Sequence, residues 1–308
     1  MFEAFKPSLR RILHVRPLLS IVVIGYSMHR ELPRTLETLS ADYQQSVSGS
    51  VYEVIVVDNG SEPAMDPSLL RYCRGVDTRW LRVSPGNVSP CHAVNLGVDA
   101  ARGDFVAVMI DGARMLSPGI VVNFLRARRL FPNAFVATLG WHLGDEPQNI
   151  SMLNGYNQAC EDDLLRSFDW RKDGYQLFAH SSLALSSSKG WFSNINESNC
   201  FALSRKMFLA LGGFNEGFTS PGGGLVNLDF FREVIESRLF EPVLVLGEGS
   251  FHQFHGGVAT NVPLKEHPWD LFHAEYRRLR GRDYAPPAFQ PKYIGALSES
   301  SLRFLPGC

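Results

Sequence analysis

Three carboxylates in this sequence stand where they could meet a ligand: Asp58, Asp111 and Asp229. The first two end apolar runs of strand character, and the third lies near the start of a predicted helix. Ligands of open α/β sheets bind at the carboxyl ends of the strands, so these acids are predicted to face one crevice. Asp58 alone could simply form a turn, and Asp229 could simply favour the first turn of its helix.

Two histidines late in the chain, His252 and His255, offer a second kind of chemistry. They lie three residues apart, after an apolar strand and Glu248 and before the Gly256-Gly257 bend. A site of carboxylate and imidazole with open positions could hold Mn²⁺ or Mg²⁺ and neutralise the charge on a diphosphate leaving group. The alternative is that each histidine is only packed or hydrogen-bonded.

Short β-rich runs alternate with segments of helical periodicity, and the elements that they predict must position the carboxylates and histidines. It predicts an α/β fold with a mostly parallel, Rossmann-like sheet flanked by helices. The helix after Ser89-Pro90 has a face of small residues, which would let it lie close to the sheet. The predicted strands are Leu19–Ile24, Val54–Val57, Phe105–Ile110, Ala134–Leu139 and Pro242–Leu246, and predicted helices contain Leu32–Leu39, Ala93–Ala100, Ile120–Leu125, Met207–Leu211 and Phe230–Leu239.

Composition excludes several classes of protein. With 308 residues, 45% of them hydrophobic, the chain can bury a large core. Its 30 basic and 31 acidic residues leave a net charge of −1, so no nucleic-acid partner is indicated. The five scattered cysteines are typical of free thiols in a reducing cytoplasm. The longest early apolar run, Leu18–Ile24, is far shorter than the about 20 residues that span a bilayer.

The ends of the chain differ from its centre. Residues 1–17 form a basic tail, either solvated or lying as a short amphipathic helix on the inner face of a membrane. Residues 18–260 are predicted to form one domain, in which the irregular segment 140–199 would cover the site. Residues 261–308, rich in Arg, Tyr and Pro, form a C-terminal extension that is expected to wrap the surface.

A series of short motifs follows the predicted strands. They are V-I-V-V-D-N-G-S at Val54–Ser61, A-V-N-L-G at Ala93–Gly97, M-I-D-G-A at Met109–Ala113, G-G-F-N-E at Gly212–Glu216 and N-L-D at Asn227–Asp229. From Leu19 to Gly257 this series resembles the family 2 glycosyltransferases, which have the GT-A fold. The resemblance implies a nucleotide-binding half at 18–140 and an acceptor-side half at 141–260.

The resemblance also implies roles in binding a nucleotide-sugar donor. Tyr26 and Asp58 are the expected contacts of the base and ribose, and Asn95 belongs to the same binding surface. Asp111 matches the first acid of the short acidic motif, which in the family binds ribose and metal.

The metal ligands are less complete than in the family. The second carboxylate of the acidic motif is absent, because Ala113 stands in its place. The implied Mn²⁺ or Mg²⁺ therefore requires His252 or His255 as another ligand.

The late helix is where the resemblance implies a catalytic base. Asn227 and Asp229 occupy that region, and only Asp229 can take a proton, so it is the predicted base for attack by an acceptor hydroxyl. Trp141 and Trp191 are predicted to stack on sugars, and the alternative is that both are buried core residues. The predicted acceptor-side residues are Trp141, Trp191, Phe214, Asn215 and Glu216.

These observations favour an inverting hexosyltransferase of cell-surface glycan or polysaccharide synthesis, cytoplasmic or peripheral at the inner face of the membrane. Its acceptor would be a glycan, a lipid-linked glycan or a small molecule. The alternative is a non-catalytic nucleotide- or glycan-binding protein, as Ala113 and Asn227 suggest.

A dinucleotide-dependent oxidoreductase is disfavoured because Gly25-Tyr26-Ser27-Met28 replaces the G-x-G-x-x-G motif after the first strand. A nucleotidyltransferase is disfavoured because no Gly-rich phosphate loop with a lysine follows the first strand.

Overall fold

Ten strands form one mixed sheet in the computed structural model, which describes residues 16–306. The predicted basic tail therefore lies almost entirely outside the described residues, as does Cys308. The strands are β1 (Leu19–Gly25), β2 (Tyr52–Asp58), β3 (Asp77–Arg82), β4 (Phe105–Met109), β5 (Arg114–Leu116), β6 (Ala134–Leu143), β7 (Ser181–Leu183), β8 (Cys200–Ser204), β9 (Glu241–His252) and β10 (Lys292–Gly295).

The strand order is β10-β9-β6-β8-β4-β1-β2-β3, with β5 paired to β9 and β7 to β6. The run β4-β1-β2-β3 is parallel throughout, and β9 is parallel to both β6 and β10. Strand β8 is antiparallel to β4 and β6. This arrangement confirms the predicted α/β class with a mostly parallel sheet.

Helices cover both faces of the sheet, so its central strands are buried on both sides. In β1, Val22 and Ile24 belong to one apolar cluster, and Ile21 and Val23 belong to the other. Burial on both sides explains why the sequences of the parallel strands are continuous apolar runs. The helices are α1 (Leu32–Thr38), α2 (Cys91–Asp99), α3 (Ile120–Leu130), α4 (Gln148–Ser151), α5 (Gln158–Arg166), α6 (Gln176–Ala179), α7 (Arg205–Ala210), α8 (Val226–Ser237), α9 (Trp269–Arg280) and α10 (Glu299–Leu302).

The small-residue face of α2 lies against the sheet, as predicted. A Cβ atom added at Gly97 would lie 2.3 Å from Val22 Cγ1 and 3.1 Å from Val57 Cγ2. The close approach of this helix to β1 and β2 therefore depends on glycine at this position. It fixes the helix behind the strand ends that form the candidate site.

The C-terminal extension is part of the sheet, and the expectation that it would only wrap the surface was incomplete. Strand β10 pairs in parallel with β9, and Phe272 and Tyr276 of α9 are buried in the core. The four cysteines within residues 16–306 are free. None of the helices in this part of the chain is both long enough and apolar enough to span a bilayer.

Candidate functional site

The carboxyl ends of β1, β2 and β4 are held together by backbone hydrogen bonds. Gly25 lies beside Asp58 in the β1–β2 register, and Asn59 N–H donates to Gly25 O at 2.8 Å. Gly112 N–H donates to Ile24 O at 2.6 Å, and a Cβ at Gly112 would lie only 2.7 Å from that oxygen. The strand-end residues predicted to bind the nucleotide therefore lie along one edge of the sheet.

Tyr26 and Asp58 differ in their exposure at this edge. Tyr26 is 48% exposed, whereas Asp58 is fully buried. Oδ1 of Asp58 accepts hydrogen bonds from the Ser61 amide and hydroxyl, at 2.9 and 2.6 Å. Its Oδ2 has no hydrogen-bond partner among the described residues, and Arg82 Nε lies 3.8 Å from it. Asp58 thus closes the turn after β2, and a nucleotide contact through Oδ2 stays a prediction.

Asn95 connects α2 to the Gly212–Glu216 turn. Its Nδ2 donates to Phe214 O and to Glu216 Oε1, both at 2.9 Å, and its Oδ1 accepts from Phe214 N at 2.8 Å. The amide of Asn95 therefore anchors the acceptor-side turn, and its predicted contact with the nucleotide remains untested.

Asp111, His252 and His255 bring three ligand atoms together. Asp111 Oδ2 lies 3.0 Å from His252 Nε2 and 3.6 Å from His255 Nε2, and the two nitrogens are 3.1 Å apart. Strand β9 runs past its predicted end to His252, and Ala113 O accepts from Gln253 N at 2.8 Å. This contact holds the end of β9 beside the turn that carries Asp111. We call these three residues the Asp111 cluster.

Two amide side chains, those of Gln148 and Asn261, fix the orientation of His252. Gln148 Oε1 lies 2.8 Å from His252 Nδ1 and also accepts from Asn261 Nδ2 at 2.9 Å. An amide oxygen can only accept, so Nδ1 of His252 must carry a proton, and in the neutral ring Nε2 then keeps the lone pair that a metal ligand needs. Such outer hydrogen bonds typically orient histidines that bind metals.

The three groups of the cluster shift one another's pKa values. Burial lowers the pKa of His252 to about 4, despite the attraction of Asp111. Burial would raise the pKa of Asp111, but His255 and His252 hold it well below its ordinary value. Burial likewise opposes the charged form of His255, yet Asp111 raises its pKa above the ordinary value. Acceptor atoms this close require a proton or a metal ion between them.

The donor set fits a divalent cation with open coordination positions. One carboxylate oxygen and two imidazole nitrogens lie within 4.8 Å of one another. Mg²⁺ prefers oxygen ligands, whereas imidazole suits transition metals, so the two histidines favour a transition-metal ion. The residues that would hold the ion are therefore Asp111, His252 and His255.

Arg114 and Glu197 are charged residues near this cluster that the sequence did not single out. Arg114 pairs with His252 between β5 and β9, is only 3% exposed, and has its Nε 3.7 Å from Asp111 Oδ2. Its Nε and Nη1 have no hydrogen-bond partner in residues 16–306. Burial lowers the pKa of Arg114, while the negative charges of Asp111 and Glu197 act in the opposite direction. No local pattern marks Glu197, because it lies in an irregular loop.

Asp229 lies in the first turn of α8, as predicted, but a cation already neutralises its charge. Arg280 of α9 donates to both of its oxygens, from Nε to Oδ1 at 2.8 Å and from Nη2 to Oδ2 at 2.5 Å. The carboxylate is buried, with 3% of the residue exposed. Its assignment as catalytic base stays a prediction.

Residues 20–111 match the family described as Glycosyl transferase family 2. The matched segment runs from β1 to Asp111 and includes the strand ends described above. The amino-terminal part of the chain is therefore similar to family 2 glycosyltransferases. Both histidines of the Asp111 cluster lie beyond the matched residues.

Solved structures of glycosyltransferases are similar to this chain over a larger part of its length. Mannosyltransferase PcManGT from Pyrobaculum calidifontis, in complex with GDP-Man and Mn²⁺, is 15% identical with a TM-score of 0.49, over 89% of this chain and 67% of that one. S. aureus TarS is 13% identical with a TM-score of 0.46, over 78% of this chain and 36% of TarS. TarS 1–349 with UDP is 15% identical with a TM-score of 0.47, over 70% and 55%.

The chain thus spans about a third to about two thirds of the length of these solved proteins. No curated protein matches it in sequence.

Ala113 stands where the resemblance to family 2 places a second acid, and its surroundings are apolar. Ala113 is fully buried in an apolar cluster, and its N–H donates to Asp111 Oδ1 at 2.9 Å. A second acid at this position would have to point into that apolar core. Instead, the end of β9 places the imidazoles of His252 and His255 beside Asp111. This position agrees with the expectation that a histidine replaces the missing second carboxylate as a metal ligand.

The predicted sugar-stacking tryptophans are core residues, so that prediction was wrong. Trp141 and Trp191 are fully buried and pack on each other with ring centroids 5.2 Å apart, next to Phe178 and Phe304. The ring of Phe214 is buried as well. These aromatic side chains stabilise the second half of the fold and cannot reach a ligand.

The other acceptor-side residues line an open cleft of about 450 Å³. Asn215 and Glu216 lie there with Asn95, and Glu233 and Arg280 form its opposite side. Asn95 joins this cleft to the nucleotide-binding half through its contacts with the Phe214 backbone. The polar lining is suited to sugar hydroxyls.

Proposed function

We propose that this chain is an inverting glycosyltransferase that moves a sugar from a nucleoside-diphosphate sugar to a hydroxyl of a glycan acceptor in polysaccharide synthesis. Strand ends of the family 2 segment would bind the nucleotide, and the polar cleft at Asn215 and Glu216 would bind the acceptor. The oxygen of the acceptor hydroxyl attacks the anomeric carbon from the side opposite the departing diphosphate.

The observation that carries this proposal is the position of the Asp111 cluster. Its three ligand atoms lie at the end of β4, next to the ends of β1 and β2. A divalent cation bound there would neutralise the charge that develops on the leaving diphosphate. His252 is held in the tautomer that a ligand needs, and Ala113 N–H fixes the Asp111 carboxylate through Oδ1.

A thermal-shift screen of UDP-, GDP- and dTDP-sugars with Mn²⁺ tests the proposal. One donor, present at 100 times its dissociation constant, should stabilise the wild-type fold by about 2.7 kcal/mol. Asp111→Asn should lose most of this shift, whereas Asp145→Asn, on an exposed loop, should keep it. If no nucleotide sugar shifts the melting temperature, the proposed function is rejected.

Three features support a second candidate, a non-catalytic nucleotide-binding protein. Ala113 and Asn227 replace acids of the family, and the predicted base Asp229 is neutralised by Arg280. Hydrolysis of the donor, measured with and without Mn²⁺, separates the two candidates. Tight binding of a donor without any turnover would favour the non-catalytic protein.

A further inference from the structure

Glu197 lies at the same edge of the sheet as Asp111, although it comes from a distant part of the sequence. Cys200, at the start of β8, pairs with Met109 at the end of antiparallel β4. Ile110 N–H donates to Asn199 O at 3.3 Å, which continues this pairing past the end of β4. The loop before β8 therefore runs beside the turn that carries Asp111, and Glu197 lies two residues from this contact.

The start of α8 holds Glu197 in place. Asn227 Nδ2 donates to Glu197 Oε2 at 3.0 Å and lies 3.5 Å from Asn199 Oδ1. Asn227 is buried, whereas Glu197 is partly exposed. The amide of Asn227 thus positions a carboxylate that solvent, and therefore a substrate, can reach.

Arg114 connects this carboxylate electrostatically to the Asp111 cluster. The Arg114 guanidinium is buried beside Asp111, and the negative charges of both Asp111 and Glu197 act on it. Asp111, Arg114 and Glu197 therefore lie in the same region around the end of β4. Asp229 stands outside it, in the pair with Arg280.

Asp229 and Glu197 differ in the hydrogen bonds that their carboxylates accept. Both oxygens of Asp229 accept hydrogen bonds from the Arg280 guanidinium. Glu197 receives a neutral amide donor on one oxygen. A general base needs a free lone pair, and in the described part of the chain only one oxygen of Glu197 accepts a hydrogen bond.

We propose that Glu197, held by Asn227, is the general base of the transfer reaction. Its carboxylate takes the proton of the acceptor hydroxyl while the hydroxyl oxygen forms a bond to the anomeric carbon. The bond from that carbon to the diphosphate oxygen breaks at the same time, and its electron pair leaves with the nucleoside diphosphate. This assignment rests on the proposed function and replaces Asp229 in it.

The test compares hydrolysis of the donor by Glu197→Gln and by Asp229→Asn, with water as the acceptor. The donor is the nucleotide sugar that stabilises the wild type most, and the assay contains Mn²⁺. Glutamine keeps an oxygen for the Asn227 amide but cannot take a proton. We expect kcat of Glu197→Gln to fall about 10²- to 10⁴-fold, with the donor dissociation constant unchanged. Asp229→Asn should lose less than tenfold in kcat.

A second measurement separates catalysis from a structural role. Glu197→Asp keeps a carboxylate and should recover part of the lost turnover, and all three variants should bind the donor like the wild type. A loss below tenfold in Glu197→Gln, or a larger loss in Asp229→Asn, would overturn the assignment while the proposed function stands. A wild type that binds donors but never hydrolyses them would reject the transfer reaction itself, and the assignment with it.

Discussion

The Asp111 cluster and the Asp229–Arg280 pair both contain an acid that the sequence predicts to be functional, yet the structure surrounds these acids differently. Asp111 faces two imidazole nitrogens, of which one is fixed as an acceptor by Gln148. Asp229 faces a guanidinium that donates to both of its oxygens. Arg114 lies 3.7 Å from Asp111 but forms no hydrogen bond with it, whereas the cation beside Asp229 occupies both carboxylate oxygens.

This difference separates a binding role from a structural role more clearly than burial does. Both acids are largely shielded from solvent, with side-chain exposures of 19% for Asp111 and 4% for Asp229. What differs is whether a neighbouring cation donates hydrogen bonds to both carboxylate oxygens, as Arg280 does to Asp229. Asp111 can therefore change its partner when a ligand binds, whereas Asp229 connects α8 to the C-terminal extension.

The largest effect is expected from breaking the Asp229–Arg280 pair. Arg280→Met leaves Asp229 as an unpaired buried charge and should lower the free energy of unfolding by about 3 kcal/mol, measured by urea denaturation. The control is Arg277→Met on the same helix, whose exposed pair with Asp283 should contribute under about 1 kcal/mol. Equal effects of the two substitutions would refute a structural role for the Asp229 pair.

A smaller effect is expected from adding a metal ion to the Asp111 cluster. Mn²⁺ at 100 times its dissociation constant should raise the free energy of unfolding by about 2.7 kcal/mol, because it binds only the folded cluster. The increase should disappear in His252→Ala and persist in Asp229→Asn. Calorimetric titration with Mn²⁺, Mg²⁺ and Zn²⁺ measures the affinities, and Mg²⁺ should bind more weakly than Mn²⁺. Stabilisation that survives in His252→Ala would place the metal elsewhere.

The smallest effect is expected from the amide behind His252. Gln148→Leu removes the acceptor that fixes the His252 tautomer and should weaken Mn²⁺ binding about 10- to 100-fold. Gln44→Leu is the matched control, since Gln44 is also buried but donates to the backbone oxygens of Thr38 and Ser117. That control should lower stability and leave the metal affinity unchanged. Equal affinities in the two variants would mean that the tautomer does not matter.

Local sequence signals were sufficient for the first half of the fold. The runs at β1, β2 and β4 are long and apolar because both faces of the sheet are covered, and the small residues of α2 reveal its close packing. Strand β3 was missed because it is a polar, partly exposed edge strand. Strands β5, β7 and β10 were missed because they have only three or four residues.

The sequence by itself determined the fold class, the strand ends that carry Tyr26, Asp58 and Asp111, and the donor types of a metal site. These follow from periodicity and from residue chemistry, which are local properties. Only the tertiary structure decided that His252 and His255 reach Asp111, that Arg280 neutralises Asp229, and that Glu197 lies beside the end of β4. It also decided that Trp141 and Trp191 are core residues. Each of these outcomes depends on contacts between distant segments, and no local pattern encodes which charge a folded chain places next to another.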